Sequence, residues 1–456
     1  MTALFLPCAG GVEALLADEV LRITGTAAEA TRGGVWVEGD AHTAMALNLH
    51  SRLATRVLWP LTGGAYRDEH DLYAMARHVD WPHWITPEQT LRVDVAAQRS
   101  PLQSLNFSAL RIKDAVCDTL RDATGARPSV DTRWPDLPLM LYAGPEHATL
   151  YVDTSGEPLF KRGWREDTGE APLKETLAAA LLAAAGWQGR AEDGALLDPC
   201  CGAGTIAIEA AQIACGIAPG GLRRFAFERM KPFQPQRDAW RVLQREAQAA
   251  VHAPAVPIFA GDVSFRMTDF ATRNAERAGV LHAIEFKTAD ALQRLPPVAT
   301  GTMLLNPPYG ERIVPKGRGA GRGSGPGAGR GHADDGGGNV DGHDGDARND
   351  GGVGVGVGVG TGQTQAAREG FEGGGTSTEF FSQLASHWKH HYAGWTAWLL
   401  SPDMKLPSLM RLKESRRVPL FNGAIECRLF RFDMVAGAGP GTRAVAATEA
   451  APAPDA

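Results

Sequence analysis

The sequence predicts an α/β protein, in which a doubly wound domain on a parallel sheet follows a smaller α+β module. Three stretches carry that reading. At 196–211 (LLDPCCGAGTIAIEAA) an apolar run reaches Asp198, turns through Gly202-Ala203-Gly204 and opens an Ala/Ile-rich helix. Strand, glycine turn and helix in that order form the phosphate- or nucleoside-binding opening of such a domain. At Asn306-Pro307-Pro308-Tyr309 a loop follows the buried run Gly301–Leu305, at a strand's C-terminal end, where open α/β sheets place their ligands. Upstream of residue 160, short strands and amphipathic helices alternate without a turn of this kind, as in a compact α+β unit.

A chain of 456 residues is long enough for two or three domains with large cores. Its 44% hydrophobic and 21% charged residues are those of a globular protein. No apolar run is long enough to span a membrane. The start, MTALFLPCAGG, lacks the basic and apolar regions of a signal peptide, so a cytoplasmic protein without membrane association is expected. Cys8, Cys117, Cys200, Cys201, Cys215 and Cys427 include no C-x-x-C pair and no histidine at zinc spacing; buried free thiols and no metal are expected. The net charge of −6 argues mildly against a nucleic-acid partner, although an average conceals local basic patches.

Phe5-Leu6 reads as a strand, and Val12, Leu15, Leu16, Val20 and Leu21 repeat at helical spacing. A strand over 33–39 and a helix over 41–55 complete the first unit. Leu91–Val95 alternates as a strand does, and Phe107–Arg121 is an amphipathic helix with Leu110, Ala115, Val116 and Leu120 inward. The runs 139–143 and 148–153 pair around Gly144-Pro145. Basic residues of this unit, including Arg92, Arg99, Arg111, Lys113, Arg127 and Arg133, are interleaved with acids. They read as a solvated face or as an RNA-facing patch.

The order of these elements, followed by Phe160-Lys161-Arg162-Gly163-Trp164-Arg165 and Ala171-Pro172-Leu173-Lys174-Glu175-Thr176-Leu177-Ala178, resembles the THUMP-containing RNA methyltransferases. Within them it is most similar to the bacterial enzymes that methylate a guanine N2 of 23S ribosomal RNA. The similarity runs over about residues 3–315 and resumes near 377–433. It implies a ferredoxin-like segment at 1–55, an RNA-binding THUMP domain at 56–157 and a Rossmann-like class I methyltransferase domain at 158–435. A second methyltransferase domain follows in some relatives and is expected to be absent here. The helix at 171–186 borders the cofactor pocket in the family, which puts Thr176 at the cofactor.

Between residues 215 and 248, Arg223, Arg224, Phe225, Phe227, Arg229, Phe233 and Trp240 mix basic and aromatic side chains. That mixture suits single-stranded nucleic acid and equally a packed lid. The stretch 316–376 holds 24 of the 54 glycines and the run VGVGVGVG at 353–360; it is expected to be a disordered insert, like the tail at 436–456.

The chemistry follows from the two landmarks. Consecutive prolines fix φ and remove two N–H donors, leaving a rigid loop that offers the Asn306 side-chain oxygen and the Pro307 carbonyl as acceptors. Two acceptors at one point suit an exocyclic amine with two N–H groups, and the Tyr309 ring can stack on its base. This fits methyl transfer to an amino nitrogen, with orientation supplying most of the acceleration. Asp262 and Asp290 follow further strands and suit ribose hydroxyls and an adenine amine; Asp198 suits an ammonium group. A dinucleotide fold needs its ribose acid about 20 residues past the turn, whereas Asp262 lies 58 beyond Gly204. The cofactor implied by these positions together with the resemblance is S-adenosylmethionine, held by Asp198, Cys200, Gly202, Gly204, Thr205, Asp262, Asp290 and Thr176. Relatives often carry a second acid where this chain has Ser264. The expected activity is methylation of a guanine N2 in 23S ribosomal RNA. Alternatives are the same reaction on transfer RNA, methylation of an adenine N6 or a protein glutamine, and a catalytically silent RNA-binding assembly factor.

Overall fold

The structure is a computed structural model and describes residues 2–169, 172–307 and 376–435. Tyr309, Ala171, the tail and all of the glycine-rich stretch except its last residue, Thr376, lie outside the described residues.

Two sheets organise the chain. The first takes β1 (Thr2–Pro7), β2 (Glu29–Thr31), β3 (Gly34–Gly39), β4 (Leu58–Ala65), β5 (Thr90–Ala97), β6 (Ser129–Val130), β7 (Leu137–Ala143) and β8 (His147–Asp153), in the order β2-β3-β1-β4-β8-β7-β5-β6. The two N-terminal units therefore share one continuous sheet, joined where Phe5 of β1 pairs with Leu58 of β4. Its helices are α1 (Glu13–Thr24), α2 (Ala41–His50), α3 (Glu69–Arg77), the single turn α4 (Trp81–Trp84) and α5 (Leu105–Thr124). Ser104 caps α5 by accepting from Phe107 N, and Gly125 closes it at φ +81°. The helix expected over 41–55 stops at His50. The buried Glu19 carboxylate accepts from Ser51 Oγ (2.7 Å), Arg52 N (2.9 Å) and Leu53 N (3.2 Å), drawing those groups out of helical geometry.

The second sheet takes β9 (Ala195–Asp198), β10 (Ile258–Asp262), β11 (Ile284–Thr288), β12 (Gly301–Leu305), β13 (Trp395–Ser401), β14 (Arg416–Asn422) and β15 (Ile425–Asp433), in the order β11-β10-β9-β12-β13-β15-β14. The strands β9 to β13 run parallel and β15 enters antiparallel to β13. Around it lie α6 (Glu175–Ala185), α7 (Thr205–Ala214), α8 (Arg237–Ala249), α9 (Phe265–Arg277), α10 (Thr376–His391) and α11 (Leu406–Met410). The fold class is the one the sequence predicts: a doubly wound α/β domain behind an α+β module. The helix expected from 171 begins at Glu175 instead, because Lys174 is extended (ψ 141°) and stands as its N-cap; the Leu173 carbonyl before it accepts from Arg165 Nη2 (3.1 Å).

The halves are joined by two buried devices. On α7, Glu209 accepts from Arg162 Nε (3.0 Å) and from Arg52 Nη1 (3.3 Å), while Arg162 Nη2 donates to the Arg52 carbonyl (2.7 Å). Arg52 comes from the first sheet's layer and Glu209 from the helix behind the glycine turn. The second device is the basic and aromatic segment at 215–248. Phe225, Phe227, Phe233 and Trp240 are all buried, with Phe225 and Phe227 stacked, Phe233 tilted and Trp240 edge-on to Phe227, and Phe233 edge-on to Trp59 at 6.0 Å. These rings are the packing between the halves and are closed to bases, so the lid-like reading of this segment holds for its aromatics.

Candidate active site

Register brings the site residues to one edge. Leu196 and Leu197 of β9 lie opposite Ile258 and Phe259 of β10 and opposite Thr302 and Met303 of β12. Asp198 pairs with Ala260, and Asp262 with Thr288 of β11. Asp198, Asp262, Asp290 and Asn306 therefore leave the carboxyl ends of four neighbouring strands. The chain proceeds from β9 outward to β10 and β11 on one side and to β12 and β13 on the other. A crevice at such a reversal is the ligand site of an open α/β sheet, and β9 and β12 supply Asp198 and Asn306 on its two sides.

The turn after β9 is held by its neighbours. Cys201 N donates to Gly261 O (2.8 Å), Gly202 N to Asp262 Oδ2 (3.0 Å), and Asn274 Nδ2 of α9 to Ala203 O (3.1 Å). Gly204 caps α7 at φ +87°, where a Cβ would come within 2.9 Å of Ala271 Cβ. Gly202 has φ +52° and nothing within 4 Å of a Cβ position; glycine is needed there for the backbone, and the space beside it is open. Asp262 Oδ1 accepts from Ser264 N (2.9 Å). Ser264 stands at the N-cap position of α9 without a capping bond from its side chain; its amide instead serves Asp262.

Asp198 is 1% exposed and accepts from Cys200 N at 3.3 Å. No ion pair reaches it among the described residues. Burial, reinforced by the charge of Asp262, pushes its carboxyl up to about 8, against smaller opposing effects of the Cys200 amide and Arg294. Burial also raises Asp262, which its bonds from Ser264 and Gly202 partly offset. The Cys200 thiol is raised well above its ordinary value by burial and the three acids, and the Cys201 thiol likewise by burial. Neither is a ready nucleophile.

Thr205 opens α7, and its hydroxyl accepts from Arg165 Nη2 (2.8 Å). Arg165 Nε donates to Glu175 Oε1 (2.7 Å), on the first turn of α6 beside Thr176. Arg165 Nη1 is buried and has no hydrogen-bond partner among the described residues. Asp290 sits beyond β11, accepting from Leu292 N (2.9 Å). Asn306 is half-buried and Pro307 buried directly after β12. Sequence reasoning missed Arg165 and Asn274 as parts of this site. The KRGWR run gave a signal for the first; nothing in the local sequence marked Asn274, which is fully buried in an otherwise polar helix.

Three families match in succession: the RlmL ferredoxin-like domain at residues 3–58, the THUMP domain at 66–153 and the RMKL-like methyltransferase domain at 162–320. The ribosomal RNA large subunit methyltransferase K/L of Psychromonas ingrahamii is 32% identical over 94% of this chain and 50% of its own length; the chain thus spans about half of the curated relatives it matches. Among solved structures, a possible methylase from Clostridium difficile 630 superposes with TM-score 0.74 at 23% identity, over 97% of this chain and 100% of that one. SMU.472, solved in complex with SAH, gives 0.73 at 22% identity over 95% and 98%. A ferredoxin-like domain, a THUMP domain and a methyltransferase domain are thus matched in this order along the chain.

Proposed function

We propose that this chain transfers a methyl group from S-adenosylmethionine to the exocyclic N2 of a guanine in 23S ribosomal RNA. The observation that carries the reading is the pairing of a buried, cation-seeking Asp198 at the end of β9 with Asn306-Pro307 at the end of β12. The residues present fit the cofactor. Asp198 lacks an ion-pair partner among the described residues and takes the methionyl ammonium. Asp262 uses one lone pair on each oxygen for Gly202 and Ser264, leaving two acceptor sites for two ribose hydroxyls. Asp290 accepts from the adenine amine, and Arg165 adds positive charge beside Thr205 at the carboxylate end. Cys200, Gly202, Gly204 and Thr176 line the same pocket. SMU.472 holds SAH in the same fold. The names of the curated relatives support ribosomal RNA as the substrate.

When bound, S-adenosylmethionine supplies an electrophilic methyl carbon. The Asn306 amide oxygen and the Pro307 carbonyl accept the two N–H groups of the target amine and stabilise the positive charge that grows on its nitrogen. Their rigid backbone fixes the direction of its lone pair, which replaces much of the entropy of a two-body encounter. Tyr309 stacks on the base in this reading. Protein nucleophiles and metal ligands take no part.

The test incubates the protein with methyl-labelled S-adenosylmethionine and unmodified 23S ribosomal RNA or transfer RNA, then identifies the labelled nucleoside. N2-methylguanosine in the 23S sample is expected. Label in transfer RNA alone would move the substrate; N6-methyladenosine would replace the target atom.

A further inference from the structure

Among the described residues, Trp134 is the one tryptophan exposed to solvent: 62% of its surface is accessible, while the others are buried or half-buried. A single exposed apolar side chain is ordinary on a protein surface; what sets this indole apart is a flat ring held on a loop that is fixed on both sides. Asp131 Oδ1 accepts from Arg133 N (2.8 Å) and Trp134 N (3.1 Å). Arg92 Nη1 donates to the Thr132 carbonyl (3.0 Å), and Arg229 Nη2, from the segment between the halves, donates to the Pro135 carbonyl (2.6 Å). Pro135 itself is buried. Backbone groups on both sides of the indole are thus held by internal hydrogen bonds.

The surroundings decide the partner. Val130 is the nearest exposed apolar residue in sequence, and Thr132, Arg133, Arg92, Arg229, Asp94, Asp131 and Asp136 make up the rest of the neighbourhood. A protein partner needs a contiguous apolar patch of several hundred Å²; a single base needs one flat π-face with a guanidinium beside it. Arg133 is exposed and has no acid at ion-pair distance among the described residues. Arg92 and Arg229 are paired with Asp94 and Asp136, so the patch is close to neutral and its attraction is stacking more than charge.

We infer that Trp134 is a stacking anchor for an unpaired nucleotide of the RNA substrate, with Arg133 holding the adjoining phosphate. This rests on the RNA-substrate reading above. The anchored nucleotide is not the methylated one. The chain after α7 leaves the carboxyl edge of the second sheet, where Asn306 lies, and returns to it only through β10, so Arg229 and the loop it fixes belong to the opposite end of that domain.

The experiment measures binding of the full chain to 23S ribosomal RNA, to a mixed-sequence single-stranded RNA and to its fully paired duplex, over a range of salt. Trp134→Ala should weaken the first two between about 5-fold and 100-fold, leave the duplex unchanged and keep the salt slope. Trp134→Phe should restore most of the affinity. Arg133→Ala should reduce the salt slope by about one phosphate contact. Binding of SAH and the thermal midpoint of all three variants should match the parent. Unchanged single-strand affinity in Trp134→Ala overturns the anchor and leaves the indole to a protein contact. A parent chain that binds SAH but no RNA overturns the RNA reading itself, and the anchor with it.

Discussion

The Gly202 amide donates to the Asp262 carboxylate at 3.0 Å, so the turn after β9 is hooked to the end of β10. One side chain thereby shapes the turn and, in the function proposed above, offers acceptors to a ribose. Asp262→Ala removes both functions. SAH binding by calorimetry should weaken at least tenfold, and unfolding should lose about 1–2 kcal/mol from two unpaired amides. Asp262→Asn should retain more stability than affinity, because an amide accepts through one oxygen only.

If Asp198 holds the cofactor's ammonium group as proposed, binding depends on pH. Its folded pKa is raised to about 8 from an ordinary 3.8. A raised acid contributes stability that is fully present below about pH 4 and is lost as pH rises through about 8. The unliganded chain should therefore lose stability over that window, and Asp198→Asn should flatten the loss. Binding of an ammonium group needs the ionised form, so SAH affinity should rise about fivefold between pH 7 and pH 8 in the parent. In Asp198→Asn that rise should disappear and affinity should fall. A variant that keeps the same pH profile would remove Asp198 from the ammonium site.

Asn306→Ala separates chemistry from cofactor binding. Methyl transfer should drop by about 100-fold or more, while the SAH dissociation constant stays within about twofold. Full turnover by this variant would contradict the role given to the amide oxygen.

Glu209 sits between two guanidinium groups and is fully buried. Removing it leaves both cations without their partner, and Glu209→Ala should cost about 3–5 kcal/mol in denaturant unfolding. Pairing Glu209→Leu with Arg162→Met removes one of those cations as well and should recover part of the loss. Equal stability of the single variant and the parent would show that the Arg–Glu–Arg set is energetically idle.

The carboxyl edge of the second sheet was legible because its signals are local. Leu196–Ala211 and Asn306-Pro307 each bring their own strand, turn and chemistry within a few residues. Asp262 and Asp290 were legible as acids at strand ends, though only the register of β10 and β11 places them beside Asp198. What was illegible depends on distance in the chain. Glu19 ends α2 from 32 residues away, and Arg165 bonds the Leu173 carbonyl just ahead of α6. Asn274 supports a turn 71 positions upstream. The basic and aromatic segment at 215–248 stayed open between two readings for a related reason: composition reports that rings are present, and only packing reports which way they face.

That packing bears on where the chain can be cut. Phe225, Phe227, Phe233 and Trp240 belong by sequence to the second half, yet Phe233 meets Trp59, and Trp59 meets Trp84 at 5.8 Å, in the first. A fragment beginning near residue 158 would expose one face of this aromatic cluster along with Glu209 stripped of Arg52. Such a fragment should self-associate rather than behave as a free catalytic unit. The THUMP match ends at residue 153 and the methyltransferase match begins at 162, but the packing runs straight across that interval.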